Sequence, residues 1–186
     1  HSMRLANLLV GNEMDEAALE ITIIGPTLEF HTDTVIAIAG ADLSPVLDGV
    51  PLPTYQAVPV HSGAILSFGA RRSGCRCYLA VAGGLDIPLI LGSRSTLLRN
   101  AVGGVNAEGR MLKAGDQIGF RNPPHFLKNI ALRQIAPEPI DSDTAVLRII
   151  PGPQDYCFTE KGIDTFFKSS YTVTGLCNRQ GYRLEG

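Results

Sequence analysis

The sequence predicts a mainly β protein: a β-barrel or sandwich over residues 1–140, then the start of a second β unit over 141–186. Three observations predict it. Glycine and proline together supply 32 of 186 residues, a turn-rich composition suited to many short strands. The apolar runs are short and rich in β-branched residues, as in Val35–Ala39. Turn pairs such as Gly25-Pro26, Asp48-Gly49 and Gly83-Gly84 punctuate them. With 45% hydrophobic and 18% charged residues, a disordered chain is excluded. No run approaches the ~20 apolar residues that span a bilayer, so no membrane segment is expected.

In chain order, Arg4–Val10 places Leu5, Leu8 and Leu9 on one helical face and ends at Gly11-Asn12, a C-terminal signal. This helix lacks an N-cap and has about two turns, marginal alone, so it reads as the end of a longer one. Ala18–Ile24 and Leu28–Ala39 read as strands, with Gly40-Ala41-Asp42 breaking the second. Ser44–Leu47, Asp48-Gly49 and Val50–Pro53 form a hairpin pattern. Ala64–Phe68 and Cys77–Ala82 are further strands, the latter ended by Gly83-Gly84. From Asp86 to Arg110 no period is sustained; excursions of this length in a compact domain are usually functional or partnered. A turn at Leu112–Asp116 leads into a strand at Gln117–Phe120.

The second unit begins near Thr144 with a strand at Val146–Ile150 and a turn at Pro151-Gly152-Pro153. A helix then opens at Thr159 and Glu160, with Ile163, Phe166 and Phe167 on one face. Strands follow at Tyr171–Thr174 and Gly181–Gly186, the last without a closing turn. Both ends read as cut, which leaves the second barrel incomplete and its apolar edge open to self-association.

Charge is uneven along the chain. Residues 1–60 hold one Arg against eight acids, 61–133 ten Arg/Lys against three, and 134–186 five against seven. The basic middle block suits an anionic substrate or an acidic partner, or neutralises the acidic first block within one fold. Dispersed basic residues and a pI near 6.1 argue against nucleic acid. With no signal peptide, Cys75, Cys77, Cys157 and Cys177 are expected as free thiols in a reducing cytoplasm, Cys75 and Cys77 on one strand face. No metal site is expected, since His31, His61 and His125 are scattered.

The densest polar constellation is Gly83-Gly84-Leu85-Asp86-Ile87-Pro88 with Leu91-Gly92-Ser93-Arg94-Ser95-Thr96. Two glycines allow a sharp turn and a close approach to a ligand. Arg94, Ser95 and Thr96 bring a guanidinium, hydroxyls and backbone N–H groups together, the parts of a carboxylate cradle. A loop stitched by Ser/Thr turns and an Arg ion pair uses the same residues. No Gly-Lys-Ser/Thr phosphate loop is present. Arg99, Gly103-Gly104 and Arg110 extend the basic loop. In a second cluster, Arg179, Gly181 and Arg183 share a strand face, with Tyr182 between the latter two; the arginines either clamp one anion or solubilise that face. Arg94, Ser95 and Thr96 are expected with Asp86 at one end of the first barrel, approached by Arg179 and Arg183. Asp86 then orients an arginine rather than acting as a base. No catalytic nucleophile is assigned by spacing.

Arg4–Asn12, Ala18–Thr22, Ala80–Pro88, Leu91–Thr96 and Gly181–Gly186 together resemble the carboxyltransferase-domain family, whose members are also called allophanate hydrolase subunit 2 or 5-oxoprolinase subunits. The resemblance runs through essentially the whole chain and implies tandem cyclophilin-like β-barrels, the second truncated here. It implies work with a homologous smaller subunit and a third hydrolase subunit, as an ATP-dependent 5-oxoprolinase that opens pyroglutamate to glutamate. Two alternatives come with it: the carboxyltransferase part of a biotin-dependent urea carboxylase, and a non-catalytic partner that antagonises a kinase inhibitor. Under the first reading this chain holds no cofactor itself, ATP serves the full complex, and the substrate is a small carboxylate. Under the carboxylase reading biotin enters. In either enzyme the carboxylate of 5-oxoproline or carboxybiotin suits Arg94 or the Arg179/Arg183 pair.

Overall fold

The computed structural model describes residues 1–123, 128–137, 146–177 and 181–186. The chain divides into two compact units, His1–Asp143 and Thr144–Gly186. The boundary expected at 140 falls within 138–145, outside the described residues.

The first unit is mainly β and antiparallel. Its strands are β1 (Leu19–Thr22), β2 (Leu28–Glu29), β3 (Thr34–Asp42), β4 (Pro45–Leu47), β5 (Val50–Pro51), β6 (Val58–Val60), β7 (Ile65–Phe68) and β8 (Ser73–Val81). They form two four-stranded sheets, β1-β8-β3-β6 and β2-β7-β4-β5. Alternation along β3 and β8 sorts their side chains. Ile36, Ile38, Cys77, Leu79 and Val81 join Leu66 and Leu43 in a core shared by the two sheets. Val35, Ala37, Ala39, Ala80 and Ala82 face the other way and meet Ala6 and Leu9 of helix α1 (Ser2–Leu9) and its C-cap residue Val10. The alanine row on β3 and β8 leaves room for close helix approach, and burial on both faces explains the continuous apolar run of β3. Arg133 then closes the helix end, its Nε and Nη2 donating to the carbonyls of Leu9 and Leu8 at 2.6 and 2.5 Å. A guanidinium there satisfies terminal carbonyls and complements the helix dipole.

Several expectations need correction. The run Leu28–Ala39 is two strands in different sheets, because Phe30–Asp33 carries the chain across between them. Hydrophobic period alone does not distinguish one sheet from another. Gly40 does not end β3; the strand continues to Asp42 through a register shift. Gly40 sits at φ +111°, and a Cβ there would lie 2.5 Å from the Arg76 carbonyl oxygen. The buried Tyr55 hydroxyl accepts from the Gly40 N–H at 3.0 Å and donates to its carbonyl at 3.3 Å, pairing the groups freed by the irregularity. Pro59 masks strand β6 in the sequence, and is tolerated because β6 lies at a sheet edge. Gln117–Phe120 makes only a single bridge, Leu85 to Phe120. Val146–Ile150 is not a strand: its residues are exposed, and with no pairing neighbour among the described residues its β-branched side chains do not build one. Cys75 and Cys77 share β8, but only Cys77 is buried.

The Asp48-Gly49 hairpin forms as expected between β4 and β5, with φ +49° and +80° at its two central residues. In the second unit, α2 (Glu160–Lys168) is capped by Thr159, whose Oγ1 accepts from the Gly162 N–H at 3.1 Å. Phe166 meets Phe167 and Tyr171 at ring-centroid distances of 5.4 and 5.6 Å. The short hairpin β9 (Thr172–Val173) with β10 (Leu184–Glu185) completes it. No helix among the described residues is long and apolar enough to cross a membrane.

The irregularity in β3 gives a test. Gly40→Ala combines left-handed backbone strain with collision against a carbonyl, whereas Gly63→Ala, at φ +87° with nothing within 4 Å, brings the backbone strain alone. Gly40→Ala is expected to cost at least ~1 kcal/mol more than Gly63→Ala, or about 2–4 °C in melting temperature. Equal losses would show that the bulge yields freely.

Candidate functional site

The Gly83-Gly84 turn is the point at which a long arm leaves and rejoins the first unit. Beyond it, Asp86 N donates to Gly119 O at 2.8 Å, Arg121 N to Gly84 O at 3.0 Å and Asn122 N to Gly83 O at 3.1 Å. The arm, residues 87–118, is therefore joined at a narrow neck by an antiparallel ladder. Leu85 and Phe120 pack into the sheet core. By alternation Gly84, Asp86, Gly119 and Arg121 share the opposite face.

On that face a polar network ties the neck to α1. Asn7 is fully buried and its Nδ2 donates to Glu16 O at 2.8 Å. Asn12 Nδ2 donates to Val81 O at 2.8 Å, and its Oδ1 accepts from the Gly83 N–H at 3.0 Å. The Glu16 side chain is only 5% exposed; Oε1 accepts from the Ala17 N–H, and Oε2 pairs with Arg121. Both glycines have positive φ. A Cβ on Gly84 would sit 2.7 Å from Glu16 Cδ, and one on Gly83 2.5 Å from Asn122 O. The close approach expected of a ligand is made here by the protein's own carboxylate and backbone.

The arm is folded on itself. Ile90 and Ser93 exchange backbone hydrogen bonds, and Leu97 pairs with Val102. Gly103 and Gly104 lie against Ser95 O and Thr96, where side chains would collide. Arg110 grips Asp116 through two parallel bonds of 2.7 and 3.0 Å and also pairs with Glu108. That fork holds the Asp116 carboxyl down to about 2, helped by the Lys113 N–H, and raises Arg110 further. Arg110 is therefore engaged in the arm's own structure.

Asp86 stands exposed on the neck, with no hydrogen bond or ion pair to Arg94 among the described residues. Arg94 is half-buried on the arm, and its Nε is shielded from solvent with no acceptor among the described residues. Ser95 and Thr96 are exposed; the Ser95 N–H is taken by Ser93 Oγ at 3.1 Å. Arg99 is exposed in the Leu98–Asn100 turn. Tyr182 and Arg183 belong to the second unit, where Arg183 N–H donates to Cys177 Sγ at 3.2 Å and its carbonyl accepts from Thr174 N–H. Arg179 and His125 lie outside the described residues. Burial pushes the Cys77 thiol up to about 12, so it is no nucleophile near neutral pH. Among the described residues no group of three or more His, Cys, Asp or Glu is placed to hold a metal.

Sequence reasoning missed Asn7, Asn12, Glu16, Arg121 and Asn122. One signal was available: Asn7 interrupts the apolar face of a short helix, and a buried amide requires partners.

The class of domain that carries this two-sheet unit, double-glycine neck and arm is given by a family model that matches the whole chain. The chain belongs to the carboxyltransferase domain, subdomain A and B, family, matched over residues 1–186. It is 40% identical over its full length to the Saccharomyces cerevisiae urea amidolyase, of which it covers 10%. It is 37% identical to a 5-oxoprolinase subunit from Escherichia coli, of which it covers 57%. The crystal structure of the Kluyveromyces lactis urea amidolyase superposes on the whole chain with TM-score 0.78 at 36% identity, 12% of that chain being covered. The chain thus spans about a tenth of one relative and just over half of the other.

The Arg110–Asp116 fork gives a pH prediction. A carboxyl depressed in the folded state stabilises it above its unfolded pKa of ~3.9 and loses that contribution as pH falls toward its folded value. Asp116→Asn should therefore lower melting temperature at about pH 6, and the gap to wild type should close between about pH 4 and pH 2. A gap that persists unchanged through that window would mean the carboxylate charge does not hold the turn.

Proposed function

We propose that the chain is part of a subunit of an ATP-dependent 5-oxoprolinase-type amide hydrolase, acting with a homologous smaller subunit and a third subunit. The observation that carries the reading is the Arg94 guanidinium, whose shielded Nε has no acceptor among the described residues. A buried donor without an acceptor is costly, and a carboxylate is the partner that planar guanidinium geometry fits best. 5-Oxoproline carries one such carboxylate on a compact lactam ring. Arg94 would hold it by charge-assisted hydrogen bonds, fixing the ring for attack. Water adds to the lactam carbonyl carbon, the ring C–N bond breaks, and the nitrogen leaves as the amine of glutamate. ATP is consumed as a co-substrate, and no residue of this chain is assigned to it. Similarity to the Escherichia coli 5-oxoprolinase subunit supports the substrate class.

A second reading is carboxyl transfer in a biotin-dependent urea carboxylase, favoured by the 40% identity to the yeast urea amidolyase. The same guanidinium fits the carboxylate of carboxybiotin, the group that would supply the transferred carboxyl. Under either reading Asp86, Ser95, Thr96 and Arg99 are candidates for the rim of the site.

Reconstitution with the partner subunits separates these readings: ATP-dependent release of glutamate from 5-oxoproline is expected, and urea-dependent turnover of biotin carboxylate would favour the second. Arg94→Ala is expected to lower turnover at least ~10-fold, equivalent to ~1.4 kcal/mol, with assembly intact. Wild-type turnover by that assembled variant would make Arg94 a structural residue.

A further inference from the structure

We propose that His61, in its doubly protonated form, is a proton-dependent clasp that ties together three turns of the first unit. Residues 30–33 cross from β2 in one sheet to β3 in the other, and residues 61–64 cross from β6 to β7. The third turn is Asp48-Gly49, between β4 and β5. The clasp is independent of the reaction proposed above. Backbone bonds already join the turns: Phe30 N donates to Ala64 O at 3.0 Å, Gly63 N to Phe30 O at 2.7 Å and Asp48 N to Ile65 O at 2.9 Å. Two carboxylates add to these. Asp33 Oδ1 accepts from the Ser62 N–H, and Asp48 Oδ1 from the Ile65 N–H, each at 2.7 Å. The His61 ring joins the same set at both nitrogens, with Nδ1 2.8 Å from the Ser62 carbonyl oxygen and Nε2 3.2 Å from Asp48 Oδ2.

A carbonyl and an ionised carboxylate only accept. A neutral imidazole has one N–H, so either tautomer turns a lone pair toward one of these oxygens, and only the imidazolium donates to both. The surrounding charges agree. The Ser62 carbonyl most, and the Asp48 and Asp33 carboxylates with it, raise the His61 pKa above its ordinary value, outweighing the loss of water around the ring. Glu29 of β2 and His31 of the crossover lie 3.7 Å from each other. A group whose pKa folding raises adds stability that is fully present below its unfolded value, about 6.5 for histidine, and is lost as pH rises through the folded value. The clasp is therefore closed in mild acid and released toward alkaline pH. Ion pairs at the surface contribute little to global stability, so the release is local: it loosens the Asp48 and 61–64 turns while β3 and β8 stay paired.

The test is amide hydrogen exchange on the full-length protein, expressed as protection relative to the unfolded chain so that the intrinsic pH dependence cancels. Between about pH 5.5 and about pH 8.5, protection at Ser62 and Ile65 is expected to fall at least ~2-fold, with the β3–β8 amides unchanged. His61→Gln, which keeps a side-chain N–H donor but does not titrate, should show no such fall. His31→Gln should behave as wild type. Asp48→Asn keeps a residue suited to the turn and removes its charge. The His61 ring, followed by NMR, should titrate at lower pH in that variant than in wild type. Equal falls in wild type and His61→Gln would overturn the proposal, as would wild-type protection that does not change with pH. So would a His61 titration that Asp48→Asn leaves in place.

Discussion

The arrangement depends on a buried carboxylate. Glu16 lies almost out of solvent beneath the Gly83-Gly84 turn, paired with Arg121 and receiving a backbone N–H. Removing a carboxylate from water costs several kcal/mol unless a counter-charge and hydrogen bonds compensate. Arg121 and the Ala17 N–H supply both. The consequence is positional: Arg121 sits at the returning end of the arm, so satisfying Glu16 closes the neck. Asn7 and Asn12 connect the same network to α1 and to the end of β8. The helix, the central strand and the arm thus share one set of polar contacts, and only glycine at position 84 leaves space for them.

The β character of the chain is legible because its signals are local. The Asp48-Gly49 turn demands positive φ at both positions, and a type I′ hairpin is the structure that uses it. Thr159 followed by Glu160 and an apolar face at 163, 166 and 167 marks α2 by the same kind of short-range logic. Legibility fails where the outcome depends on distant partners. Leu28–Ala39 reads as one strand until the two sheets are known, and Val146–Ile150 reads as a strand although nothing pairs with it among the described residues. Gly40 reads as a terminator, whereas the Tyr55 hydroxyl fifteen residues away holds the strand together.

The candidate site is legible in part. Arg94 stands out in sequence as a guanidinium among hydroxyls and glycines, and in the structure its Nε lacks an acceptor among the described residues. The glycines at 103 and 104 read in sequence as part of a basic loop, yet they seat the Ser95–Thr96 backbone and make the arm a folded object. Arg110 looks equivalent to Arg94 in sequence; Asp116 and Glu108 show that it is not. Arg121 is unmarked because its partner is 105 residues away. Ion pairs over such separations leave no spacing signature.

The central claim is that the Glu16–Arg121 pair holds the neck closed and so positions the arm. Amide hydrogen exchange on Glu16→Gln tests it directly, since exchange reports local opening separately from global unfolding. The account predicts at least ~10-fold faster exchange at the Asp86, Arg121 and Asn122 amides, equivalent to ~1.4 kcal/mol, with the β3–β8 amides protected as in wild type. Neck amides that exchange at the wild-type rate in Glu16→Gln would contradict it.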